Sequence, residues 1–338
     1  MNKLSNLATI NRLPMRIISI VSIIFLCFFI ATCDKVAVPL KATNGPAPTL
    51  PTTPPDLVNH TTDSTIHKVL IEDYMGHFCT NCPAAVIIAE GIVSGSSGHV
   101  ISMEVNVGYD ADPAGITGAP LVPPGLPDTA YKNDYRTAAG TAWDSALVNT
   151  AVEGVPQGMV SRMYVDAGYD QDITPGNWGT VADTIYNAPL LASITMVDSS
   201  WIKQQIFGAA VTVTLKNSIS SGAQYFLQLV LVEDSVLDWQ TNAGTPIQYY
   251  AHRNVLRSAI NGSWGDQISL TTGVPLTKYY AFSSANFRYN SANIATPPQV
   301  PARLWNMAKC SVIAFLYQRL GTGTKNDFYI LQAQILHL

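Results

Sequence analysis

Residues 68–90 read KVLIEDYMGHFCTNCPAAVIIAE, and the fold of the first half follows from how that stretch is parsed. The apolar run Val69, Leu70, Ile71 marks a buried strand. Tyr74-Met75-Gly76-His77-Phe78 then leads to Cys79-Thr80-Asn81-Cys82, after which Val86, Ala89 and Val93 recur at helical spacing. Two cysteines three positions apart lie on one helical turn, so their sulfurs can close a small disulfide loop. Cys79 falls just before the helix, where unpaired backbone N–H groups and the dipole favour an anion, and its thiolate becomes the attacking species. Cys82, a turn deeper, resolves the mixed disulfide. Pro83 takes a first-turn position, where its missing N–H costs nothing.

A strand that ends at a Cys-x-x-Cys and opens a helix resembles the active-site layout of thioredoxin-like proteins. Gly154-Val155-Pro156, ahead of an apolar run, fits that layout. In thioredoxin-like folds a proline so placed is cis and faces the cysteines. The residue before it, here Val155, offers its backbone to an extended substrate that pairs like an added strand. Asp73, six positions before Cys79, stands where such proteins carry a buried carboxylate that takes the proton of the resolving thiol. Glu72 points to the opposite side of the strand, and one of the two acids reads equally as a solvated edge charge. His77 either tunes Cys79 or faces solvent. The candidate site is therefore Cys79, Cys82 and Asp73 for the chemistry, with Val155 and Pro156 for the substrate. A structural disulfide without catalysis fits the same pair. Half a zinc site does not, because the other mature cysteine, Cys310, is distant and reads as an inert packed thiol. No metal or other cofactor is implied.

The chain starts with an address. Lys3, Arg12 and Arg16 precede an apolar core at 17–30, too short for a spanning helix, and Ile30-Ala31-Thr32-Cys33 follows. This resembles the cleavage box of bacterial lipoproteins, which implies a lipid on Cys33 as the new N-terminus of the chain; an uncleaved anchor or an ordinary signal peptide is the alternative. Thr32 departs from the commonest box. Residues 34–64 carry Pro39, Pro46, Pro48, Pro51, Pro54 and Pro55 and read as an extended tether. The expected domains are 65–190, an α/β thioredoxin-like domain, and 191–338, an all-β immunoglobulin-like sandwich with alternating runs such as 211–215 and 227–231. Helices are expected at 138–152 and 174–187. The Gly/Pro-rich stretch 108–130 reads as a lid over the cysteines or as a disordered decoration. Net charge is −4 with 12% charged residues, so no basic stripe points to nucleic acid.

The stretch 252–266, HRNVLRSAINGSWGD, carries neither metal spacing nor a nucleophile–base pair. It reads as a recognition surface or as a connection with Arg253 and Arg257 in local hydrogen bonds. Together, EDYMGHFCTNCP at 72–83, Gly154-Val155-Pro156 and this stretch resemble the Omp-twenty-eight family of outer-membrane lipoproteins of Bacteroidota. The resemblance implies a thioredoxin-like domain plus an immunoglobulin-like sandwich on the outer membrane. Phe78 in place of Trp, and Thr80-Asn81 in place of Gly-Pro, leave the direction of electron flow open. Two functions follow: a thiol–disulfide oxidoreductase of the envelope, or a non-catalytic binding or adhesive lipoprotein. The partners are the membrane through a lipid anchor and either an extended peptide or protein with cysteines or a surface ligand, without nucleic acid.

Overall fold

The computed structural model describes residues 50–61, 65–115, 118–164, 172–201, 206–217, 222–283, 306–320 and 328–338. In chain order the first half gives β1 (Leu57–His60), β2 (Val69–Met75), α1 (Cys82–Gly95), β3 (Val100–Asn106), α2 (Ala138–Trp143), α3 (Thr150–Glu153), β4 (Gln157–Val160), β5 (Asp172–Ile173) and α4 (Pro175–Tyr186). The second half gives β6 (Ala192–Trp201), β7 (Ile206–Leu215), β8 (Gln224–Glu233), β9 (Val236–Asn242), β10 (Thr245–His252) and β11 (Val255–Ala259). It closes with β12 (Asp266–Ile268), β13 (Leu276–Ser283), β14 (Cys310–Arg319) and β15 (Ile330–His337).

Every residue of β2 is buried, as a central strand covered on both faces requires. It pairs parallel with β3 and antiparallel with β4. The sheet extends in the order β15-β14-β8-β11-β3-β2-β4-β5, with β12 added beside β8. Strands from both sides of residue 190 therefore share one sheet. The joint is the parallel pairing of β11 on β3 at Val255 and Glu104.

Side-chain alternation sorts the core by face. One face buries Leu70, Tyr74, Met103 and Val105 with Val230, Ile313 and Phe315 against Trp143 and Leu147. On the other face, Val69 and Ile71 meet Ala85 and Ala89 of α1 and Trp178 of α4. Farther along that face, Leu227, Leu229, Val312 and Ala314 pack on Ile194, Met196, Val211 and Val213 of a second sheet, ordered β1-β6-β7-β13. The molecule is mostly β, and this half is a β-sandwich. Each Val, Leu, Ile, Met or Phe side chain among these contributes about 1.5–3 kcal/mol on burial.

Two expectations need correction. The tether expected over 34–64 has become structure by residue 57, where β1 takes the otherwise open edge of β6 from the Leu57–Ser200 pair to His60–Val197. Trp201 Nε1 also donates to the carbonyl of Thr53 at 2.7 Å. The helix expected over 138–152 is broken. After α2 the chain runs through a π-helical turn at Asp144–Val148, and Asn149 adopts a left-handed conformation with φ 62°. The Asp144 side chain then accepts from Thr150 N and starts α3. Residues 1–33, with the expected lipid site at Cys33, lie outside the described residues.

Candidate functional site

The turn after β2 brings the two cysteines together. Gly76 lies so close to the 110–111 backbone that a Cβ there would stand 2.3 Å from the Asp110 carbonyl carbon. Phe78 N donates to Asp110 O (2.9 Å) and Cys79 N to Gly76 O (3.0 Å). Cys82 opens α1 with Pro83 behind it, and Cys82 N donates to Cys79 Sγ at 3.1 Å. Cys79 and Cys82 form a disulfide. Met75 and Val86 pack around it, and Val155 closes the cluster from the loop before β4. Cys79 keeps 4% of its surface exposed and Cys82 none, while Thr80 and Asn81 are exposed. The Val155–Pro156 peptide is cis. The Val155 N–H and C=O have no hydrogen-bond partner among the described residues.

Sequence reasoning did not see what covers the other side of this turn. The β9–β10 hairpin lies along residues 76–80. Thr241 N donates to His77 O (2.8 Å) and Ala243 N to Thr80 O (2.9 Å). Gly244 N donates to Thr80 Oγ1 (2.6 Å), and Gln240 Nε2 reaches the carbonyls of Cys79 (2.9 Å) and Gly76 (3.3 Å). At about 0.5–1.5 kcal/mol net for each bond, the hairpin fixes the turn firmly. The described part of 108–130 flanks it, with Ala114 N bonded to Tyr131 O (2.7 Å) and Tyr131 stacked on Phe78 at 4.3 Å.

His77 does not face solvent. It is buried against Phe78 and Tyr131, and its Nε2–H donates to the Asp112 carbonyl at 3.0 Å. Burial lowers its pKa to about 4.

Neither acid of β2 is an edge charge. Glu72 is fully buried on the Trp143 face and pairs with Arg162 through two contacts of 2.6 and 2.7 Å. The guanidinium lies 4.9 Å from the Trp143 ring and 5.2 Å from that of Phe315. Asp73 points the other way, beneath α1, and is 2% exposed. Neither of its carboxylate oxygens has a hydrogen-bond partner among the described residues. Burial, then the Glu104 carboxylate on the adjacent strand, pushes its pKa well above the usual carboxylate range. Val86 lines the small cavity beside Asp73 and also touches the cysteines, so the acid and the disulfide sit on either side of one side chain.

A family profile described as Outer membrane protein Omp28 matches residues 144–327, more than half of the chain. The chain belongs to the Omp28 outer membrane protein family. It is accordingly a protein of the outer membrane of the cell envelope. The Omp28 match takes in Val155, Pro156 and 252–266 but starts after Cys79 and Cys82. No curated protein matches the chain. Among solved structures, HBP35 of Porphyromonas gingivalis is similar at 13% identity, over 82% of this chain and 77% of that one, with a TM-score of 0.56. An Agrobacterium tumefaciens protein aligns over 81% of this chain and 96% of its own, also at 13% identity, with a TM-score of 0.45. Among the described residues no helix is long and apolar enough to cross a membrane, and no group of side chains could hold a metal ion.

Within the Omp28 match, the HRNVLR stretch forms the joint between β10 and β11. Arg253 contacts Glu90 on α1 and Ser235 after β8, and Asn254 Nδ2 donates to Ser102 O of β3 at 3.1 Å. Arg257 faces Glu233 at 3.1 Å and lies over the Tyr135 ring. Asn261 binds the backbone of β8 at Leu227 and Leu229. These arginines are in local contacts. Cys310 is buried and its thiol is pushed up to about 12 by burial, which leaves it unreactive.

Proposed function

We propose that this envelope protein is a lipoprotein that exchanges thiols and disulfides through Cys79 and Cys82 with exported proteins. One observation carries the reading. Val155 lies against the disulfide, and its backbone N–H and C=O have no hydrogen-bond partner among the described residues. An extended peptide bearing a cysteine can pair with that backbone and present its sulfur to Cys79, the only one of the two with exposed surface. Pro156 adds no competing N–H. Cys82 then leaves or resolves, and Asp73 exchanges a proton with it. A lipid on Cys33 would hold the folded part at the membrane.

A second reading also has an observation behind it. Both sulfurs are nearly enclosed and the hairpin clamps the turn. That favours a structural staple, with binding carried by other surfaces of a non-catalytic lipoprotein. The test is the reduction potential of the pair in the full-length chain, together with insulin-disulfide reduction. Exchange chemistry predicts turnover that Cys79→Ser abolishes, and a potential above about −300 mV. A lower potential without turnover supports the staple.

A further inference from the structure

The HRN stretch is placed where it can act on the cysteines from a distance. Asp73 and Glu104 are register partners on the parallel strands β2 and β3, so their side chains emerge side by side beneath α1. Two buried carboxyl groups in this position would ordinarily share a proton or a hydrogen bond. Here the second half of the chain has taken both oxygens of Glu104. Arg253 N donates to Oε1 at 2.6 Å, and Nδ1 of His252 stands 3.3 Å from Oε2. The other ring nitrogen of His252 faces the Trp239 carbonyl at 3.4 Å, and Glu104 N donates to Asn254 O at 3.2 Å. Both oxygens of Glu104 are thereby occupied by groups other than Asp73, which lies beside it in register, and Asp73 has no hydrogen-bond partner among the described residues.

We propose that Glu104, braced by His252 and the Arg253 amide, is a positioning residue that keeps a proton on Asp73 for delivery to Cys82. This rests on the exchange reading above. Other groups face Asp73 as well. Glu90 lies on α1, Tyr250 lies on β10, and β4 contributes Gly158, which carries no charge; Cys82 lies across the Val86 side chain. Arg253 is the cation among them, and its guanidinium is engaged by Glu90 and Asp234. The balance of neighbours is thus acidic, which favours the protonated acid. Asp73, Glu104, Glu90 and Arg253 line a cavity of about 10 Å³, the room of a single water. Glu90, Ser102 and Arg253 also border an open groove of about 760 Å³, which gives a proton from the cavity a route toward solvent.

The step balances. A substrate thiolate bonds to Cys79 Sγ, the Cys79–Cys82 bond breaks with its electron pair on Cys82 Sγ, and Asp73 gives that sulfur its proton. The second thiolate of the substrate then bonds to the first and releases Cys79 as a thiolate. The substrate dithiol has been oxidised to a disulfide and the protein pair reduced. Run backwards, the Asp73 carboxylate takes the proton of Cys82.

The experiment follows the Asp73 and Glu104 carboxyl carbons by NMR while the pH is changed, in full-length disulfide-bonded protein, and in Glu104→Gln. In the unmodified chain the Glu104 resonance should respond as Asp73 loses its proton, and an indifferent Glu104 overturns the proposal without any variant. In Glu104→Gln the Asp73 midpoint should move to lower pH, and the exchange rate at neutral pH should fall on the order of tenfold. Glu104→Asp, which keeps the charge, should restore most of both. An unmoved midpoint in folded Glu104→Gln removes the assigned role even if exchange persists. A moved midpoint without exchange in any form keeps the electrostatic role and removes the redox reading.

Discussion

Glu72 and Asp73 are adjacent on one strand, equally buried, and live in opposite chemistries. Glu72 meets a guanidinium with both oxygens engaged, under a roof of aromatic rings. Asp73 meets another acid and has no hydrogen bond among the described residues. The paired carboxylate has nothing left to give or take. The orphaned one is costly to ionise, and a carboxyl that holds its proton more tightly than usual can act toward a thiol as a proton donor. The two faces of β2 thus separate structure from chemistry.

The comparison breaks most visibly at Arg162. Arg162→Ala should cost about 3–5 kcal/mol in denaturant unfolding, because it strands a buried charge. Replacing Glu72 and Arg162 together by apolar residues of similar volume should recover most of that loss. Next in size is the acid response of His77. Its folded pKa, about 4, is depressed below the usual 6.5, so the native state binds fewer protons than the unfolded chain. Its contribution is whole above pH 6.5 and is lost as pH falls toward 4, by about 3 kcal/mol in all. Stability of the unmodified chain against His77→Gln across that range checks the slope. Asp73 has the opposite sign. Its folded pKa is raised, so its contribution is whole below the unfolded value near 3.8 and declines as pH rises through the folded value. Asp73→Asn should remove that decline and leave the protein as stable as before or more so at neutral pH. A large loss in Asp73→Asn would make the acid a structural group like Glu72.

The parts of this arrangement that were legible in the sequence are those written within a few residues. The apolar run into Cys79, the Cys-x-x-Cys spacing and the alternation of 211–215 and 227–231 are local signals. The β9–β10 hairpin was not legible. Its strands mix polar and apolar residues on both faces, Pro246 argues against a strand, and its tip is Ala243-Gly244, with φ of 47° and 79°, where the usual signal is Asn-Gly or Asp-Gly. Asn242 ahead of that glycine was the available hint. Glu104 stood in no motif, and its brace comes from residues 148 and 149 positions away. Arg162 likewise stood in no motif. Periodicity reports which face a residue takes, and not which distant element supplies its partner.

The most direct test of the account is the rate at which full-length Asp73→Asn exchanges its Cys79–Cys82 disulfide with a dithiol peptide at neutral pH, relative to the unmodified chain. The account predicts a fall of about a hundredfold with unfolding stability retained. Equal rates in the two proteins would contradict it.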